Sequence, residues 1–93
     1  MRTLVIVNSL KSTRFVLNKP IKWMISEDSS TLIEWCDLGL CYVGEDIPTL
    51  IKEFSELVLA IREAVDLIPE DRLTDRDREL REKLSVAILR KND

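Results

Sequence analysis

Cys36 and Cys41 carry the most reactive side chains of this chain, and they stand on either side of a predicted four-residue turn. Two thiols that face each other across a hairpin could form a redox pair or a disulfide. The alternative is that both are small apolar residues buried in a reduced protein, since free cysteine packs well among hydrophobic side chains. We favour the alternative. The N-terminal residues have no export-signal pattern, so we expect a cytoplasmic protein whose thiols stay reduced.

Other groups that could do chemistry are few. The chain has no histidine, which is the usual general base and the commonest metal ligand. Two pairs of carboxylates, Asp28 with Glu34 and Glu45 with Asp46, could in principle serve acid–base chemistry or hold a metal. Turn formation and helix capping explain them better. We therefore expect no enzyme, no catalytic residue, no cofactor and no metal; an enzyme that depends on both cysteines remains the catalytic alternative.

The net charge of −3 conceals an uneven distribution along the chain. Residues 1–26 contain five basic residues and no acidic one, whereas residues 27–71 contain twelve acidic and two basic residues. Such an acidic segment would attract a basic partner and repel a polyanion. The alternative is that these carboxylates are only the solvated faces of a sheet and a helix.

Nucleic-acid binding is disfavoured but has one supporting feature. The basic N-terminal segment combines Arg14, Lys19 and Lys22 with Phe15 and Trp23, and aromatic and basic side chains together can stack on bases and contact phosphates. The acidic pI and the acidic middle segment argue against this interpretation. Lysines that protect the edge of a sheet explain the same residues.

The length and composition predict one domain over residues 1–93. A chain of 93 residues with 45% hydrophobic and 33% charged residues can bury one small core. No apolar run approaches the roughly 20 residues that cross a bilayer, so we expect no membrane partner.

Short strands separated by turns are predicted over residues 1–44, as a β meander. In one of them Ile21, Trp23 and Ile25 share one face while Lys22 and Met24 share the other. The pattern predicts an antiparallel sheet of three to four short strands.

A long amphipathic helix is predicted over residues 47–68, because its apolar residues recur at three- and four-residue steps. Asp46 is suited to cap it. A short C-terminal helix is predicted over residues 74–91, capped by Thr74, with a narrow apolar stripe that would dock on the first helix or on a partner. Glu79 and Lys83 are spaced to form an ion pair within it, as are Asp77 and Arg81. The predicted fold class is α+β, with the long helix packed on one face of the sheet.

The order of these elements resembles that of the HicB-like antitoxin family. The resemblance covers roughly residues 21–68 and depends on the acidic turn at Glu27 and Asp28, the segment Leu38–Cys41, Gly44, and a helix that contains Glu53. It implies a non-catalytic protein that binds a small basic toxin. In this family the toxin typically cleaves RNA.

Two functions follow as hypotheses. In the first, an acidic hairpin and helix surface binds a small basic protein. In the second, the chain is a self-associating homodimeric scaffold or small regulatory subunit, with no toxin partner. The candidate partner-binding residues combine acidic and aromatic side chains of the hairpins: Glu27, Asp28, Glu34, Asp37, Trp35 and Tyr42.

Overall fold

The computed structural model describes residues 1–91 and has the predicted α+β architecture. A four-stranded antiparallel sheet is covered on one face by a long helix, and a shorter helix follows. In chain order the elements are β1 (Arg2–Val7), β2 (Phe15–Leu17), β3 (Ile21–Glu27), β4 (Thr31–Trp35), β5 (Leu40–Gly44), α1 (Ile47–Asp66), α2 (Asp75–Ala87) and β6 (Ile88–Arg90). Short 3-10 helices span Cys36–Leu38 and Glu70–Arg72.

The sheet has the strand order β1-β3-β4-β5, so β1 and β5 form its two edges. β2 lies outside this sheet and pairs antiparallel with β6, with Phe15 opposite Arg90. The predicted meander over 1–44 is therefore wrong in one respect, because the chain leaves the sheet after β1 and returns only at β3. The three residues of β2 find a partner strand of equal length at the C-terminal end of the chain.

Alternate side chains of β3 and β4 form the sheet side of the hydrophobic core. Trp23 and Ile25 of β3 and Ile33 of β4 are buried against α1. The shared face of Trp23 and Ile25 agrees with the alternation predicted for β3. The ring of Trp23 meets the ring of Phe54 edge to face, with 4.7 Å between ring centroids. The indole N–H of Trp23 has no hydrogen-bond partner among the described residues. It lies within this aromatic cluster, which also includes Trp35.

The predicted stripe of α1 faces the sheet, with Leu50, Phe54 and Val58 fully buried. The helix approaches β5 closely at Gly44. A Cβ atom on this glycine would lie 2.7 Å from Cδ1 of Leu50, so a larger residue would displace part of the core.

Both helices begin at the predicted capping residues. Asp46 Oδ1 accepts a hydrogen bond from the Thr49 N–H at 3.0 Å, and Thr74 Oγ1 accepts one from the Asp77 N–H at 3.1 Å. Asp77 also accepts from the Thr74 N–H, which completes a capping box.

One predicted ion pair of α2 is wrong and the other is confirmed. Arg81 binds Glu70 at 2.6 Å instead of Asp77, because Asp77 is engaged in the capping box. Glu79 and Lys83 form their pair at 3.0 Å.

The C-terminal helix ends earlier than predicted. A helix over 74–91 is wrong after Ala87, where the chain becomes β6. The carbonyl groups at this end have partners elsewhere in the fold. The Asn18 N–H donates to the Ala87 carbonyl at 3.0 Å, and Arg62 Nε donates to the Ile88 carbonyl at 3.0 Å. α2 packs on α1, the first of the two predicted alternatives, and its Leu84 is fully buried in the core.

Candidate partner-binding surface

The six predicted binding residues do not form one surface. Glu27 and Asp28 lie exposed at the β3–β4 turn, whereas Asp37 lies exposed in the 3-10 helix beyond the other end of β4. Trp35 is only 4% exposed and belongs to the core. Glu34, half-buried, lies on the sheet face opposite α1.

Four carboxylate residues do come together at one end of the sheet, and we call Glu27, Asp28, Glu45 and Asp46 the acidic tip. Glu27 is opposite Thr31, which is opposite Gly44, so the β3–β4 turn and the β5–α1 connection are neighbours. Thr31 Oγ1 donates a long hydrogen bond of 3.5 Å to the Glu45 carbonyl across this gap.

Two cationic groups lie beside the acidic tip. The Met1 amino group donates to the Glu27 carbonyl at 3.1 Å, and Arg2 is opposite Ser26. Neither forms an ion pair with a carboxylate of the tip in the described chain. The side chains of the tip therefore remain unneutralised by local contacts.

The acidic surface continues along the first half of α1, where Glu53 and Glu56 follow Asp46 at helical spacing. Glu53 accepts a hydrogen bond from the Tyr42 hydroxyl at 3.1 Å. This hydrogen bond and the negative charge of Glu53 raise the pKa of Tyr42 above its ordinary value, because both favour the protonated phenol. Tyr42 thus connects β5 to the acidic surface.

Carboxylates in the second half of the chain behave differently. The ion pairs of residues 1–91 use Glu63, Asp66, Glu70, Asp75 and Glu79, and none uses a carboxylate that precedes Glu63. The acidic segment inferred from the sequence is therefore divided into a paired part and an unpaired part.

Two of the paired carboxylates, Glu63 and Asp66, bind three arginines that surround Phe15. We call Arg14, Arg62 and Arg90 the arginine cluster. Their guanidinium carbons lie 5.9, 5.3 and 5.0 Å from the centroid of the Phe15 ring, within cation–π range. Asp66 accepts hydrogen bonds from Arg62 and Arg90.

These contacts set the ionisation of Asp66. Partial burial alone would raise the pKa of Asp66, but the two guanidinium groups outweigh it and hold the pKa below its ordinary value. Arg14 pairs with Glu63 in the same region. This cluster was not predicted from the sequence, because Arg14 precedes β2, Arg62 lies in α1 and Arg90 lies in β6, and they have no shared local pattern.

The sheet face opposite α1 is apolar and uncovered in the described chain. The cross-strand register places Leu4 beside Met24, and Leu32 beside Val43. Leu4 is 51% exposed and Val43 is 58% exposed. We call this surface the outer face, and Glu34 and Lys22 are the charged residues on its central strands.

Both cysteines are exposed and free, so the prediction that they are buried is wrong. The two thiols do not sit opposite each other either, because Cys41 pairs with Glu34 in the sheet and Cys36 lies in the 3-10 helix. The alternation of β5 directs Leu40 and Tyr42 toward α1, which leaves Cys41 on the outer face.

A cleft of about 760 Å³ opens between α2 and the ends of β3 and β4. Its lining contains both basic and acidic residues, which are Lys19, Lys22, Lys83, Asp37 and Glu82. Because three ammonium groups and two carboxylates offset one another, the cleft has no marked preference for the charge of a ligand.

Within residues 1–91, no three acidic or cysteine residues are grouped so that they could hold a metal ion. Among the same residues, neither helix combines the length and the apolar character needed to cross a bilayer.

Comparison with protein-family models finds no match to this chain, and comparisons with curated proteins and with solved structures find none either.

Proposed function

We propose that the protein is a non-catalytic binding module, similar in role to the HicB-like antitoxins, that binds a small basic protein. The contact surface is the acidic tip together with Glu53 and Glu56 of α1. The observation that carries this proposal is that these carboxylates form no ion pair within residues 1–91, whereas the later carboxylates Glu63, Asp66, Glu70, Asp75 and Glu79 all do.

Charge that is not neutralised within the molecule is available to a partner. Like charges held close together repel one another, so a cluster of carboxylates that forms no ion pair among the described residues is stabilised when a cationic surface approaches. The cluster also increases the rate at which a basic protein is encountered. Lys52 is the only basic residue in the first half of α1, so it offsets little of this charge.

Of the residues predicted from the sequence, this surface retains Glu27 and Asp28, with Tyr42 at its margin. Trp35 is left out because it is buried, and Asp37 because it lies beyond the opposite end of β4. Glu34 is left out because it lies on the outer face.

The test is affinity capture from a lysate of the protein's own host, at low and at high salt, with two charge-reversal variants. One variant carries Glu27→Lys, Asp28→Lys and Glu45→Lys, all in the acidic tip. The matched control carries Asp37→Lys, Asp71→Lys and Glu82→Lys, which are exposed carboxylates outside it. Both variants change the net charge equally, and both leave the capping residue Asp46 intact.

We expect the wild type and the control variant to retain the same small basic protein at low salt, and the tip variant to lose it. High salt should release it from all of them, because exposed charges are screened over about 10 Å at 0.1 M ionic strength. Capture of the same protein by both variants, or capture that resists high salt, would contradict the proposal.

A further inference from the structure

β1 is the least covered strand of the sheet. Among the described strands it pairs with β3 alone, and its first three residues are exposed, in contrast to the buried alternation of β3 and β4. Ile6 is 47% exposed, and Leu4 is exposed to a similar extent. The strand contains no lysine or proline, two residues that commonly protect an edge from pairing.

The other edge, β5, is less open. α1 packs directly on β5, and Tyr42 is tied to Glu53 of that helix. The strand also ends at Gly44, against Leu50. Edge-to-edge association therefore favours β1.

The backbone groups on the free edge of β1 can be assigned from the register. Met1 and Glu27 exchange two hydrogen bonds, at 3.1 and 2.8 Å. In an antiparallel pair, hydrogen-bonded and non-hydrogen-bonded positions alternate. Arg2, Leu4 and Ile6 are therefore the non-hydrogen-bonded positions with respect to β3, and their N–H and C=O groups point to the free edge.

A second copy of β1 matches this edge. When two copies run antiparallel with Leu4 opposite Leu4, the three residues of each strand whose backbone groups point to the free edge pair with those of the other strand. These residues are Arg2, Leu4 and Ile6. All of their edge N–H and C=O groups are then used. Ile6 lies opposite Arg2, whose aliphatic stem can pack on it.

The charges favour the same antiparallel arrangement. Arg2 is the only charged residue of the strand, and antiparallel pairing separates the two copies of Arg2 by about 13 Å along the strands, at roughly 3.3 Å per residue. Parallel pairing would place these like charges side by side.

We propose that the protein forms a symmetric homodimer in which two β1 strands pair antiparallel, with Leu4 opposite its own copy, to make one continuous eight-stranded sheet. The acidic tip surface runs toward β5 and α1, so this dimer neither uses the proposed partner surface nor depends on the proposed function.

The test measures molar mass by sedimentation across a range of protein concentrations, at high salt so that the acidic tip is screened. We expect the wild type to shift from 10.8 kDa to twice that mass as concentration rises. Leu4→Pro removes an edge N–H without removing a β1–β3 hydrogen bond, and it should weaken the dimer by about tenfold or more. Leu4→Val keeps the N–H group and should dimerise like the wild type.

A charge-swap pair, measured at low salt so that the introduced charges are not screened, tests the register and covers the case in which Leu4→Pro disturbs the fold. Leu4→Lys and Leu4→Glu each place two like charges opposite each other, so each variant alone should stay monomeric. An equal mixture of the two should restore a dimer of twice the mass. A wild type that stays monomeric at all concentrations would overturn the proposal. So would a dimer that persists in both single variants, or a mixture that remains monomeric.

Discussion

Carboxylates are present at both the acidic tip and the arginine cluster, but within residues 1–91 they are held in ion pairs only at the arginine cluster. Around Phe15, guanidinium groups and carboxylates neutralise one another and join β2, α1 and β6. At the tip, four carboxylates stand together without an ion pair in the described chain. The location of an acidic residue in the sequence therefore says little about its role, whereas its partners in space show whether it holds elements of the fold together.

The largest effect should come from removing the centre of the arginine cluster. Arg62 is 6% exposed, binds the Ile88 carbonyl and pairs with Asp66. Arg62→Ala would leave both acceptors without this donor, and we expect a loss of about 3 kcal/mol in the free energy of unfolding. Urea denaturation measures it. The exposed Arg72→Ala is the control and should change stability by less than about 0.5 kcal/mol.

A loss of less than about 1 kcal/mol for Arg62→Ala would mean that the cluster does not join the two parts of the fold. The comparison with the acidic tip would then fail.

The second effect concerns pH. Because the folded-state pKa of Asp66 is lowered from 3.8, its stabilising effect is complete above that value and is lost as the pH falls through the folded pKa. Asp66→Asn should therefore destabilise the protein at neutral pH, by about 1–2 kcal/mol. The difference from the wild type should shrink in strong acid. Thermal unfolding across the acidic range measures this, and a constant difference at all pH values would contradict it.

Neutralising the acidic tip should have a small effect on stability. The triple change Glu27→Gln, Asp28→Asn and Glu45→Gln removes no ion pair formed within residues 1–91, and it relieves repulsion among like charges. We expect the free energy of unfolding to stay within about 0.5 kcal/mol of the wild type or to rise slightly. A clear loss in urea denaturation would show that the tip, like the arginine cluster, is part of the architecture.

The smallest effect is spectroscopic and involves Tyr42, the only tyrosine of the chain. Its phenol should ionise above the ordinary value of 10.0 because Glu53 accepts its hydrogen bond and bears a negative charge. Glu53→Gln removes that charge and should lower the midpoint of an ultraviolet absorbance titration. An unchanged midpoint would mean that Glu53 does not act on this hydroxyl in solution.

Sequence patterns predicted correctly those features that neighbouring residues determine, such as side-chain alternation in a strand and capping of a helix. The alternation of Ile21, Trp23 and Ile25 placed them on one face of β3, which is the face buried in the structure, and the capping residues Asp46 and Thr74 marked the starts of both helices. The acidic segment was evident from composition, but the division between its paired and unpaired carboxylates was not. That division depends on which arginines approach in the folded chain.

The errors at the end of α2 and at Cys41 share one physical origin, which is contact between distant residues. No glycine or proline marks the end of α2 after Ala87; hydrogen bonds from Asn18 and Arg62 accompany it. Cys41 is exposed because Tyr42, its neighbour in β5, packs against α1. Side chains alternate along a strand, so Cys41 lies on the outer face.

The pairing of β2 with β6 has a consequence for how the molecule is made. Lys91 donates to the Ser12 carbonyl across 79 positions of the chain, and Phe15 meets Arg90 in the same small sheet. Contacts of such large sequence separation form late and slow the search for the native state. During synthesis, the side chains that cover Phe15 cannot all assemble until residues near position 90 leave the ribosome. The nascent chain therefore exposes an aromatic ring that is buried in the folded protein.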